Sequence, residues 1–128
     1  MLKWLVVCAL LFPAAATAER ISAAAIHVVD GDTIDARGDR FRLVGFDTPE
    51  TYKPRCDYEL ALGRAATARL RELLENGQGV DLVVLPGRDR YDRGLARLFI
   101  DRRDVGAILI AEGLARSYTG GRRESWCD

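Results

Sequence analysis

"IHVVDGDTIDARGDRFRLVGFD", residues 26–47, sets the architecture of this chain. It reads as strand, turn, strand, turn, strand: "IHVV", "DGD", "TIDA", "RGD", "RFRLVGF". Both turns place Gly beside Asp, a strong short-range hairpin signal, because these residues tolerate the positive φ that tight turns demand. A three-stranded meander follows. Two aspartates, Asp30 and Asp32, crowd the first turn, and turn propensity accounts for one of them.

Downstream, "DTPETYKPRCDYE" carries Pro49, Pro54 and many polar groups and reads as a loop. From Glu59 to Glu75, Leu62, Ala66, Leu70, Leu73 and Leu74 recur at helical spacing, and Asn76-Gly77 stops the run. "GVDLVVL" is a strand, "PGRDRYDRG" a long turn, "LARLFID" another strand, and "DVGAILIAEGL" a second helix with Asp104 as N-cap. Five strands and two helices without repeats or linkers predict a mainly β, α+β domain: a small antiparallel barrel capped by helices.

The 128 residues are 48% hydrophobic and 30% charged, a balance that suits one globular domain rather than a disordered or fibrous chain. The opening "MLKWLVVCALLFPAAATAER" combines a basic start at Lys3, an apolar run from Trp4 to Phe12 and the small triplet Ala16-Thr17-Ala18. It reads as a secretory signal peptide over residues 1–18, leaving a domain over 19–128 that is exported, periplasmic or secreted. The apolar run is short of the roughly 20 residues that span a bilayer, so no membrane association is expected after cleavage. Nineteen basic and nineteen acidic residues cancel; without residues 1–18 the balance is 18 to 19. Tight non-specific nucleic-acid binding draws on excess positive charge, and a fixed metal ion could supply positive charge that the count omits. Cys8 leaves with the leader, and Cys56 and Cys127 read as a disulfide worth roughly 4 kcal/mol in the chain-entropy account. Two free thiols or half of a metal site are the alternatives.

The chemistry-bearing residues fall in three places. Asp30-Gly31-Asp32-Thr33 is not an EF-hand, since the sixth position counted from Asp30 is Asp35 instead of Gly and the twelfth is Phe41 instead of Glu. In "FRLVGFDTPE", Arg42 stands among apolar neighbours, either snorkelling at an edge or held for an anion, and Asp47 and Glu50 follow where the strand ends. A regular strand points Arg42 and Asp47 to opposite faces, so their cooperation requires a bulge or twist, for which Gly45 is the natural place. In "RDRYDRG", Tyr91 and Arg93 lie at the joint between two core strands.

Together "VVDGDT", "FRLVGFDTPE", the following helix, "DRYDRG" and "EGLA" resemble the staphylococcal nuclease (thermonuclease-like) family in order and spacing. The resemblance runs from about Ile26 to Tyr118. It implies a five-stranded OB-type β-barrel capped by two or three short helices, and a calcium-dependent nuclease that hydrolyses DNA and RNA to 3′-phosphate products. Residue by residue it implies Asp32, Asp47 and the Thr48 carbonyl as Ca2+ ligands, and Asp30 as an acidic neighbour of the metal that shapes the turn. It implies Glu50 as the base toward the attacking water, Arg42 and Arg93 as the grip on the scissile phosphate, and Tyr91 beside the bound nucleotide. The implied partner is nucleic acid, single strands preferred, met by a monomer. Asp92 departs from the family's usual Gly between the tyrosine and the arginine, and its carboxylate is a potential partner of Arg93. "TGGRRESWCD" is too short for the long final helix of the best-known member. A catalytically silent OB-fold module binding nucleic acid or protein is the alternative reading, and a calcium-stabilised scaffold a third.

Overall fold

The structure is a computed structural model in which Lys3, Cys8, Ala9 and residues 17–128 are described. Most of the segment read as a signal peptide lies outside the described residues. Five strands carry the sheet that the sequence predicts: β2 (Ile26–Asp30), β3 (Thr33–Ala36), β4 (Asp39–Leu43), β6 (Val80–Arg88) and β7 (Gly94–Ile100). Shorter strands join them: β1 (Thr17–Arg20), β5 (Phe46–Asp47), β8 (Arg103–Asp104) and β9 (Arg116–Ser117). Two α-helices, α1 (Asp57–Asn76) and α2 (Val105–Ala111), and a short 3-10 turn at Ala23–Ala25 complete the described elements. The architecture is mixed α+β, as the periodicity implied, although α1 is a full 20 residues rather than a short cap.

Strand order is β1-β6-β7-β4-β3-β2, and the sheet is not closed into a barrel. The two edges are β1, bonded to β6 with Thr17 opposite Val84 and Arg20 opposite Asp81, and β2, and these two do not pair. Nor is the sheet wholly antiparallel, because β4 and β7 pair in parallel, Phe41 opposite Gly94. Parallel neighbours need a long crossover, and α1 followed by β6 provides it. The meander itself forms as expected, β2 on β3 and β3 on β4. Its second turn places Arg37 at φ 55 and Gly38 at φ 75, the two left-handed residues of a tight hairpin.

Val28, Ile34, Phe41, Leu43, Leu82 and Leu98 from the sheet meet Leu70 and Leu74 from α1 and Val105 and Leu109 from α2 in one core. The predicted helix face thus holds, with Leu62 and Leu73 at its half-buried margin. Asp104 caps α2 by accepting from the Gly106 and Ala107 amides. Cys56 caps α1 and is bonded to Cys127, 71 positions away with a Cα–Cα distance of 6.1 Å. The disulfide alternative is therefore the one realised. No described helix is long and apolar enough to cross a membrane.

Leu70 is fully buried between α1 and the sheet. Leu70→Ala should destabilise the protein by about 2–5 kcal/mol, read from the midpoint of a urea titration; a change under about 0.5 kcal/mol would contradict the packing described.

Candidate active site

The β2–β3 turn answers the doubled aspartate. Asp30 Oδ1 accepts from the Asp32 amide at 3.1 Å, so the first carboxylate fastens the turn. Gly31 is needed there for proximity rather than for a left-handed φ: a Cβ on it would lie 2.8 Å from Thr48 Cγ2 and 3.0 Å from Ala66 Cβ. The turn can therefore press against the start of the loop that follows β5. Asp32 projects inward, buried, its Oδ1 accepting from the Thr33 hydroxyl at 3.1 Å and its Oδ2 from the Thr48 amide at 3.2 Å.

Arg42 reaches the same place from β4. Its guanidinium donates to the carbonyls of Leu43 at 2.6 Å and Phe46 at 3.0 Å, and lies 3.4 Å from both Asp32 Oδ2 and Asp47 Oδ1. Gly45, at φ +93, breaks the strand between Leu43 and Phe46 and so brings Arg42 and Asp47 to one side, as their spacing required. Asp47 then pairs through β5 with Arg116 of β9.

Four carboxyl groups share this region, and burial and neighbouring charge act on each of them. Asp30 is pushed up to about 7, first by burial and then by the charge of Asp32. Asp47 and Glu50 are raised too, by burial before anything else and by Asp32 among the neighbours. Burial acts to raise Asp32 as well, but the Arg42 charge and the hydrogen bonds from Asp30 and Thr48 outweigh it and hold the carboxyl below its ordinary value. Carboxylates crowded in this way favour a nearby cation.

Arg93 approaches from the β6–β7 loop. Its Nη1 donates to the Thr33 hydroxyl at 3.3 Å, and that hydroxyl donates to Asp32, which links the second arginine to the carboxylates through one side chain. The sequence concern over Asp92 resolves otherwise: Asp92 takes the left-handed position at φ 61 and pairs with Arg88, while Arg93 is held by Asp89 at 2.7 Å. Tyr91 is exposed, with the guanidinium carbons of Arg90 and Arg93 4.8 Å and 5.4 Å from its ring centre. Arg42, Tyr91, Arg93 and Arg123 all line one cleft of about 780 Å³.

Arg123 is the site residue that sequence reasoning missed. Its Nε donates to Asp47 Oδ2 at 3.2 Å and its Nη2 to Glu50 Oε1. The available signal was Cys127, since the bond to Cys56 draws the segment before it over the loop that bears Glu50.

The donors offered by Asp32, Asp47 and the Thr48 backbone are all oxygen, which suits a hard cation such as Ca2+ with open positions left for water and a phosphate oxygen. Among the described residues no group of three or more His, Cys, Asp or Glu side chains is placed to hold a metal ion.

The family model described as staphylococcal nuclease homologue matches residues 40–125. Endonuclease YncB of Bacillus subtilis (strain 168) is 38% identical over 96 residues, which cover 70% of this chain and 44% of that protein. Thermonuclease of Staphylococcus intermedius is 39% identical over 96 residues, 71% of this chain and 56% of the relative. Succinoglycan biosynthesis protein ExoI of Rhizobium meliloti (strain 1021) is 34% identical over 92 residues, 69% and 48%. The chain spans about half the length of these relatives. With the matched segment running from the Arg42 strand through the Arg93 loop to Arg123, the chain belongs to the family of staphylococcal nuclease homologues.

Proposed function

We propose that this chain is an exported, calcium-dependent nuclease that hydrolyses phosphodiester bonds of DNA and RNA to 3′-phosphate products. The observation that carries the reading is the convergence of Arg42 and Arg93 on one cleft beside Asp32 and Asp47. Residues 1–18 serve as the export leader, and the Cys56–Cys127 bond suits an oxidising compartment. The substrate is nucleic acid, single strands preferred, engaged by a monomer.

Asp32, Asp47 and the Thr48 carbonyl would hold the ion. An ion held there would supply a Lewis-acid contact to a phosphoryl oxygen. Arg42 and Arg93 donate to the other phosphoryl oxygens, and because hydrolysis adds negative charge to those atoms, the two guanidiniums stabilise the transition state more than the bound substrate. Glu50 takes the proton of the attacking water; burial raises its affinity for that proton, which strengthens it as a base. Tyr91, with Arg90 and Arg93 around its ring, offers a face to the nucleotide. One observation favours the second reading, a silent OB-fold module binding nucleic acid or protein: Asp89 already occupies Arg93 and Arg123 already occupies Glu50. That module would bind single strands without cleaving them.

Purified protein should release acid-soluble nucleotides from single-stranded DNA in calcium and stop when a chelator is added. Binding without release would favour the silent module, and release indifferent to chelator would remove the metal from the reaction. Glu50→Ser and Arg42→Gly should each lower the rate by about a hundredfold or more while circular dichroism stays that of the folded protein. A near-wild-type rate in either would strike that residue from the mechanism.

A further inference from the structure

Glu50 stands on the segment between β5 and α1, outside any strand or helix, with its side chain 40% exposed. Among the described residues, the side chain bonded to its carboxylate is that of Arg123, which also holds Asp47 Oδ2. Asp47 is a fixed reference, 5% exposed and paired through β5 to β9. A guanidinium carries its donors in a rigid planar fork, so one that grips both carboxylates sets the position of Glu50 relative to Asp47.

Arg123 is itself secured at both ends of its segment. On one side the Tyr118 amide donates to the Gly45 carbonyl at 3.1 Å and the Tyr118 hydroxyl to the Gly121 carbonyl at 2.7 Å. On the other, the Arg116 guanidinium lies 3.7 Å from the Trp126 ring centre and donates to the Ser125 carbonyl at 3.0 Å, and Cys127 is bonded to Cys56. An ion pair as exposed as Arg123–Glu50, with side chains 43% and 40% accessible, contributes little to stability. Such fastening serves orientation better than it serves the fold.

We propose that Arg123 is a positioning residue of the hydrolytic site. Carried by the disulfide-tied segment 118–127, it holds the Glu50 carboxylate at a set distance from Asp47, where the base meets the attacking water. The inference rests on the reading of Glu50 as that base.

The test is a kinetic cycle on single-stranded DNA at saturating calcium, with the variants Arg123→Ala, Glu50→Gln and their combination. Arg123→Ala should lower kcat about tenfold to a hundredfold, the scale on which small misplacements act, with KM within about twofold. In the Glu50→Gln background the same change should have no further effect, because its influence passes through Glu50. Arg123→Lys should recover only part of kcat, since an ammonium lacks the fork, and Cys127→Ser should reproduce the Arg123→Ala loss; if either alanine variant is unfolded by circular dichroism, these two carry the test. Losses that multiply in the double variant, a rise in KM with kcat unchanged, or a wild-type kcat in Arg123→Ala would each overturn the proposal. A slow Glu50→Gln beside an unimpaired Arg123→Ala would overturn this inference alone. A wild-type rate in Glu50→Gln, or no hydrolysis by the native protein, would overturn the reading of the base with it.

Discussion

Two buried carboxylates, Asp32 and Asp47, face one half-buried arginine, Arg42. Asp32 and Asp47 come from turns and strands far apart in the meander, and each lies 3.4 Å from the Arg42 guanidinium. Charges removed from water need partners, and removal of one partner from such a set leaves the others uncompensated at high cost. Arg42 therefore constrains both the β2–β3 turn and the exit of β4, while its further donors tie the backbone carbonyls of Leu43 and Phe46. The site and this corner of the fold are the same set of contacts.

The compensation is incomplete. Asp30 and Glu50 add two more carboxyls, and burial first, with neighbouring negative charge after it, raises their proton affinities and that of Asp47. An ion bound by oxygen donors would offset the crowded negative charge and also lend positive charge to a chain whose basic and acidic residues cancel. Local arrangement replaces net charge here. Arginines that would be diluted across a neutral surface are gathered into one cleft as Arg42, Arg93 and Arg123.

The segment after β9 is held in place by covalent chemistry. Cys127 returns to the residue that caps α1, and between the two anchors the backbone passes Gly120 and Gly121 at φ +109 and +82, values that favour glycine. That course brings Arg123 beside Asp47 and Glu50. A stapled strap delivers a charge at a defined place for few residues.

Alternation and turn chemistry in residues 26–47 determined the meander, helical spacing determined α1 and α2, and the order of the acidic and arginine motifs determined which side chains were candidates. These are local properties, written in neighbouring residues. Tertiary structure alone decided the rest. The sheet stays open because its end strands β1 and β2 do not pair, and whether Arg93 meets Asp32 depended on the parallel pairing of β4 with β7 and on Thr33 as the bridge. Asp89 rather than Asp92 claimed Arg93 because Asp92 had to take a left-handed turn position that sends its carboxylate to Arg88. Arg123 was invisible in sequence for the same reason: its role arises from a separation of more than seventy residues closed by a disulfide, and no local pattern records which carboxylates lie beneath it.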